Sequence, residues 1–312
     1  LLRTEVLRNR TTSTLLGQGG GLWISHANVR IEDSTIDGNV SPTTGGGVML
    51  SETQTQLRTN LVVTGSTISN NIAGEDPEGN PPLIGGGGGG IYNAGGSMDI
   101  ENTTIAFNAA RPGTLPIASG RGGGVENAPK LSAPRTTILT NCTVAYNESD
   151  LGQLYSTVLG DSSGLLVANT LIAQAPGGDP NCAPVGHPGG AGVVSLGGNI
   201  SSDASVCNLK PMELGDQIGV ADPGLADMLA DNGGETDTLA IEEGSPAVGG
   251  SQAVNCPAKD QRGSPRKPVC DVGAYELADA LAIPKGLLQA AVDDPDGVVG
   301  PVVPVLREVA GI

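Results

Sequence analysis

Thr35-Ile36-Asp37-Gly38-Asn39 is one copy of a five-residue phrase that recurs along the first half of the chain. Glu5-Val6-Leu7-Arg8-Asn9 precedes it, and Thr67-Ile68-Ser69-Asn70-Asn71, Thr104-Ile105-Ala106-Phe107-Asn108 and Thr143-Val144-Ala145-Tyr146-Asn147 follow. A degenerate sixth copy reads Thr170-Leu171-Ile172-Ala173-Gln174. The asparagines lie 30, 32, 37 and 39 residues apart (39−9, 71−39, 108−71, 147−108), a period range typical of solenoids.

Aligned on their asparagines, the copies share further columns. The position eight before is apolar every time: Leu1, Ile31, Val63, Ile100, Leu139 and Leu166. The position three before is Val, Ile or Leu, and the position five before holds Thr4, Ser34, Ser66, Thr103, Cys142 and Asn169. Alternation with period two places such columns on one side of a strand, facing inward. A second marker opens each repeat, three small residues and then an apolar one: Gly19-Gly20-Gly21-Leu22, Gly45-Gly46-Gly47-Val48, Gly88-Gly89-Gly90-Ile91, Gly122-Gly123-Gly124-Val125, and a weaker Ser162-Ser163-Gly164-Leu165. Each repeat therefore reads as bend, three short strands, asparagine turn and a loop of variable length. Strands stack about 4.8 Å apart, so Asn9, Asn39, Asn71, Asn108 and Asn147 are expected to share amide bonds in a ladder. The expected fold is all-β, a parallel β-helix.

Composition narrows the function classes. The chain holds 49 Gly and 22 Pro in 312 residues, close to the level that signals disorder when no period is present; here the period favours order. Only six aromatic residues occur, Trp23, Tyr92, Phe107, Tyr146, Tyr155 and Tyr275, and a solenoid can bury aliphatic layers without them. The net charge of −17 argues against nucleic acid and against anionic membranes, which select clustered Lys and Arg. No apolar run is long enough for a transmembrane span, and no signal peptide is visible. Leu1 already occupies the inward column of a repeat whose first half is absent, so the chain is expected to be a processed or truncated piece whose open edge is covered.

After about residue 175 the vocabulary changes. Asp222-Pro223-Gly224-Leu225, Asp231-Asn232-Gly233-Gly234, Gly244-Ser245-Pro246-Ala247, Asp260-Gln261-Arg262-Gly263 and Cys270-Asp271-Val272-Gly273-Ala274-Tyr275-Glu276 resemble the C-terminal region of bacterial choice-of-anchor Q proteins, as do Asp179-Pro180-Asn181-Cys182 and the stretch from Ser195-Leu196-Gly197-Gly198-Asn199-Ile200 to Cys207. The resemblance covers roughly residues 1 to 276. It implies an exported, right-handed parallel β-helix in the style of polymorphic outer-membrane proteins, located outside the cell or on its surface. Such proteins carry varied anchors, whereas this sequence shows no sorting motif and no spanning segment, only an Ala, Val and Pro-rich tail.

The cysteines agree with export. Cys182 and Cys207 flank one loop and Cys256 and Cys270 another, the natural pattern of two local disulfides in an oxidising compartment. Cys142 stands in the inward column of small residues and is expected to be a buried, inert thiol. The organisation expected is parallel β-helix coils over 1–175, a C-terminal β-helix and capping region with two disulfides over 176–276, and an apolar, Pro- and Gly-interrupted tail over 277–312 that docks or assembles.

Catalytic equipment is sparse. Pectin-type lyases and hydrolases on parallel β-helices need paired carboxylates or a base beside a calcium site. The acids of the repeats, Glu32, Asp33, Asp37, Glu52, Asp99, Glu101 and Glu126, do not recur in one column. Asp260, Arg262, Asp271 and Glu276 form the densest polar cluster, and an Arg among carboxylates more often ties loops together than binds substrate. Asn232-Gly233-Gly234 reads as a turn, and His187 is a lone loop histidine. No metal or cofactor is expected; Asp293-Asp294-Pro295-Asp296-Gly297 resembles a calcium turn but lacks the remaining ligands. Sequons at Asn9, Asn102, Asn141, Asn147 and Asn199 mostly coincide with repeat positions.

The reading favoured by these residues is a non-catalytic extracellular or cell-surface structural or adhesion protein that self-assembles head to tail. Leu1 at one terminus and Leu287, Leu288, Val302, Val303, Val305 and Leu306 in the tail are its assembly candidates, because so apolar a tail needs a surface to cover it. Partners would be further copies or another surface protein, with a glycan as a further class. The alternatives are a polysaccharide lyase, hydrolase or carbohydrate-binding module working along the repeat face, and a capsule or appendage component held by its partners.

Overall fold

The computed structural model describes residues 1–13, 17–52, 58–116, 118–128, 137–157, 164–183, 192–204, 207–209 and 211–278. Leu1–Leu277 form one compact unit, and Ala278–Ile312 form a second, of which only Ala278 is described.

The described residues are nearly all β, and the named strands pair in parallel. The phrase itself supplies a seven-stranded sheet in which Glu5–Leu7, Thr35–Asp37, Thr67–Ser69, Thr104–Ala106, Thr143–Ala145, Leu171–Ala173 and Ile200–Ser201 follow one another in sequence order. The strand preceding it supplies a six-stranded sheet, Asn28–Glu32, Asn60–Thr64, Ser97–Glu101, Thr137–Thr140, Leu165–Ala168 and Val193–Gly197. A five-stranded sheet is built from Leu22–Ser25, Val48–Ser51, Ile91–Asn93, Val125–Asn127 and Leu154–Ser156, and a three-stranded one from Val40–Ser41, Ile72–Ala73 and Ala109–Ala110. Helical structure among the described residues is confined to Pro211–Leu214 and the 3₁₀ turns Pro176–Gly178 and Ala253–Asn255.

Register explains the apolar columns. Ile36, Ile68, Ile105, Val144 and Ile172 are direct partners in successive strands, and none has any exposed surface. The same holds for Ile31, Val63, Ile100, Leu139 and Val167. Both columns, with Val48, Ile91, Val125 and Leu154, form one continuous apolar core. Burying each such side chain stabilises by roughly 1.5–3 kcal/mol.

Turns recur as regularly as strands. The structure puts Thr170, in place of the expected Asn169, in the small-residue column; the residue before that column takes a left-handed φ in Arg3, Asp33, Gly65, Asn102, Asn141, Asn169 and Gly198, and the residue before the ladder asparagine does so in Arg8, Gly38, Asn70, Phe107 and Tyr146. In the glycine marker a close approach sets the requirement: a Cβ on Gly47 would lie 2.7 Å from Gly90 O and 3.0 Å from the Asn71 side chain. The third glycine thus lets the backbone reach the ladder.

Two expectations need correction. Pairing between the fifth and sixth copies runs at an offset of 28, Thr143 opposite Leu171 and Val144 opposite Ile172, whereas alignment on Gln174 assumes 27 (174−147). A one-residue slip exchanges the faces of a strand, so Ile172 and Val167 point into the core while Leu166 is half-exposed and Leu171 packs with Ile200, Ile241 and Val272 on the other side. Likewise the marker partner of Val125 is Leu154; Leu165 pairs with Thr137 in the six-stranded sheet. Parallel pairing runs past residue 175, through Val193–Gly197 and Ile200–Ser201 to an isolated bridge at Gln217.

Candidate functional site

The asparagine columns carry a hydrogen-bonded chain. In each step the backbone N and the Nδ2 of one residue donate to the Oδ1 of the next. Asn9 donates to Asn39 at 2.9 Å from both atoms, Asn39 to Asn71 at 2.9 Å, Asn71 to Asn108 at 3.0 and 2.9 Å, and Asn108 to Asn147 at 3.0 and 2.9 Å. Nδ2 also donates back to a strand carbonyl, as Asn71 does to Ile36 O. Gln174 takes no part. Asn147 donates instead to Gln153 Oε1 at 3.0 Å, Gln153 Nε2 donates to Asn181 Oδ1 at 2.8 Å, and Asn181 N donates to the Asp203 carboxylate at 2.7 Å. From Asn39 to Asn181 these side chains are fully buried, while Asn9 is exposed. The signal for Gln153 was its place just before Leu154, where the third glycine of the marker stands in other repeats.

The small-residue column makes its own repeated bond, from a side chain to the carbonyl two residues earlier: Ser34 to Glu32 O, Ser66 to Thr64 O, Thr103 to Glu101 O and Thr170 to Ala168 O. Cys142 repeats it through Sγ, 3.4 Å from Thr140 O. Burial pushes its thiol up to about 12. It is the free cysteine of the five. Cys182 is disulfide-bonded to Cys207 and Cys256 to Cys270, with Cα atoms 5.1 and 5.9 Å apart. Two disulfides are the mark of an oxidising environment.

Residues 225–277 run as a strap along the outward side of the seven-stranded sheet. Leu239 packs on Ala106 and Ala145 beside Phe107 and Tyr146, whose rings stack at 5.0 Å. The polar cluster of the sequence holds this strap together. Arg266 Nη1 donates to Glu276 Oε2 at 3.0 Å and Nη2 donates to Asn102 Oδ1 and Gly273 O at 2.8 Å, with both charged side chains buried. Desolvation lowers the Arg266 pKa against the pull of Glu276. Arg262 stacks on Tyr275, its Cζ 3.6 Å from the ring centre, and Nη2 donates to Asp260 Oδ2 at 2.7 Å. Asp271 accepts from Gly249 N at 2.8 Å and Leu277 N at 2.6 Å. These groups are occupied by each other, which makes the cluster a brace.

Between strap and sheet lie three adjoining grooves of about 380, 290 and 250 Å³. Their acids are Glu5, Asp33, Asp37, Asp231, Glu235, Asp237 and Asp260, with Arg3, Lys259 and Arg262 beside them in the first groove. Arg3 bridges Glu235 at 3.1 Å and approaches Asp33 at 3.9 Å, and Asp37 accepts from Ser69 Oγ at 2.8 Å and Asn70 Nδ2 at 2.6 Å. Such a lining offers hydrogen-bond acceptors to a hydroxyl-rich or cationic ligand.

One acid of the repeats is buried more deeply than the others. Glu126 follows the fourth glycine marker and stands in register with Tyr92 and Tyr155, in the column that begins with Trp23 and Met49. It is 1% exposed. Its Oε1 lies 3.3 Å from Arg121 Nε, and Oε2 has no hydrogen-bond partner. Burial, opposed by Arg121, raises its pKa to about 7. The position directly after each marker was the available signal.

Of the remaining candidates, Leu1 is 46% exposed, Asn232 donates to Thr238 O at 3.0 Å as part of a turn, and Asn102, Asn141, Asn147 and Asn199 are buried, which closes those sequons to glycan attachment. His187, Leu287, Leu288, Asp293–Asp296, Val302, Val303, Val305 and Leu306 lie outside the described residues. Among the described residues no group of three or more His, Cys, Asp or Glu is placed to hold a metal ion, and no helix is long and apolar enough to cross a membrane. No family model, curated protein or solved structure matches this chain.

Proposed function

We propose that the chain is a right-handed parallel β-helix serving a non-catalytic structural or adhesive role outside the cell or on its surface, in the manner of the choice-of-anchor Q proteins its C-terminal phrases resemble. The observation that carries this reading is the buried amide chain from Asn39 through Gln153 to Asn181, which commits the interior of successive repeats to rigidity. The most buried charged cluster, Arg262, Arg266, Asp260 and Glu276, is spent on bracing the strap. The two disulfides suit an oxidising exterior. Head-to-tail self-association would draw on Leu1 and the apolar tail, the variable loops then facing a partner protein or glycan.

The acidic grooves beside the strap favour a second reading, carbohydrate binding or cleavage along the repeat face. Electron microscopy of the purified protein, paired with incubation against neutral and acidic polysaccharides, separates the two. Filaments or end-to-end multimers without new sugar ends support the structural role. Polysaccharide cleavage at an ordinary enzymatic rate of ~1 per second or more would replace it with the enzyme.

A further inference from the structure

In a stack of repeats each layer touches only its neighbours, so opening proceeds from the ends inward. The strap alters that rule here. We propose that residues 225–277 lock four successive layers together, so that this part of the stack opens as one cooperative unit.

The phrase begins with threonine in four of its copies with the ladder asparagine, and the strap uses three of those hydroxyls. Thr67 Oγ1 donates to Asp237 O at 2.5 Å and accepts from Gln261 Nε2 at 2.9 Å. One layer on, Thr104 Oγ1 donates to Gln261 Oε1 at 2.6 Å, so a single buried amide spans two layers. Two layers on, Thr143 Oγ1 accepts from Ala274 N at 2.9 Å. In the fourth layer Asn169 O accepts from Gly273 N at 2.9 Å. These contacts join residues 131 to 194 apart for the three threonines.

Rigidity inside the strap is what transmits a load from layer to layer. Arg266 ties Glu276 to Asn102, Asp260 accepts from Arg262 and from Glu276 N, and the Cys256–Cys270 bond closes the intervening loop. A layer can leave the stack only by breaking a strap whose other contacts remain held. The device operates whatever the molecule binds.

Native-state hydrogen exchange on the full chain tests this. Thr143→Val keeps the side-chain shape and removes the Ala274 acceptor; Gly273→Ala, with φ +100° and a Cβ that would meet Thr143 Oγ1 at 2.8 Å, displaces the strap at the same layer. A locked unit requires amides of Thr67–Ser69, two layers away, to exchange about tenfold faster or more in both variants, together with Gln261. Thr140→Val, in a sheet the strap does not bond, should change only its neighbours. If acceleration in Thr143→Val and Gly273→Ala stays within the Thr143 layer and its immediate neighbours, or is absent, the layers open independently and the proposal fails.

Discussion

Gln153 stands between Asn147 and Asn181, accepting from the first through Oε1 at 3.0 Å and donating to the second through Nε2 at 2.8 Å. A longer side chain from a different part of the repeat thereby continues a ladder that the asparagine phrase had ended. Removing it strands two donors of Asn147 and one acceptor of Asn181 inside the core.

Gln153→Met, close in volume and without the amide, should therefore destabilise the fold by about 2–5 kcal/mol, since each unsatisfied buried group costs about 1–3 kcal/mol. Urea midpoints at constant m-value measure this. A loss below about 1 kcal/mol would mean that the ladder contributes geometry but little stability.

Glu126 predicts a pH dependence of definite sign. Its pKa is raised from 4.5 to about 7 in the folded chain, so the folded state holds a proton that the unfolded state has released over that window. Stability from this group is fully present below pH 4.5 and is lost as pH rises to about 7, on the order of 3 kcal/mol in all. Glu126→Gln should remove that part of the slope, with the variant gaining on the parent as pH rises from 5 to 8. Parallel stability curves for the two proteins over that range would refute the assignment.

Cys142 should tolerate a hydroxyl. Ser34, Ser66, Thr103 and Thr170 make the same bond from equivalent positions, so Cys142→Ser is expected to shift stability by less than about 1.5 kcal/mol. Cys142→Leu should cost more, about 1–3 kcal/mol or above, because it overpacks a core in which Cys142 has no exposed surface. Thermal melts of the two variants decide the order.

Thiol counting checks the covalent frame. Unfolded without reductant, the chain should expose one reactive thiol; native, it should expose none, because Cys142 is buried with its pKa at about 12. Reducing the two loops should cost roughly 3 kcal/mol each on the loop-entropy account. Labelling of three or more cysteines before reduction would contradict the pairing.

Deletion of residues 278–312 bears on the proposed assembly. Leu1–Leu277 form a compact unit by themselves, so the shortened chain should keep its cooperative melt while losing self-association in sedimentation runs. An unchanged assembly state would move the contact away from the tail.

The residues of this chain determine by themselves where the strands and turns of its first five repeats fall. Ile36, Ile68, Ile105 and Val144 could be aligned because an alternating strand with a fixed turn keeps its columns at constant offsets, and Asn39 to Asn147 because a buried amide must find another amide above it. Local spacing is silent wherever the offset changes, which is why an alignment on Gln174 and Leu166 falls one residue out and why no column marks Gln153 and Asn181 as ladder members. Only the tertiary structure decided where the C-terminal phrases lie. Gln261 meets Thr67 and Thr104 across 194 and 157 residues, and Arg266 meets Asn102 across 164; hydrogen bonds of that reach leave no period in the sequence, since the partners are matched by shape and polarity after the sheet has formed. The raised pKa of Glu126 belongs to the same class. A carboxylate in the sequence carries no record of the burial that Tyr92, Tyr155 and Arg121 impose on it once their strands are stacked.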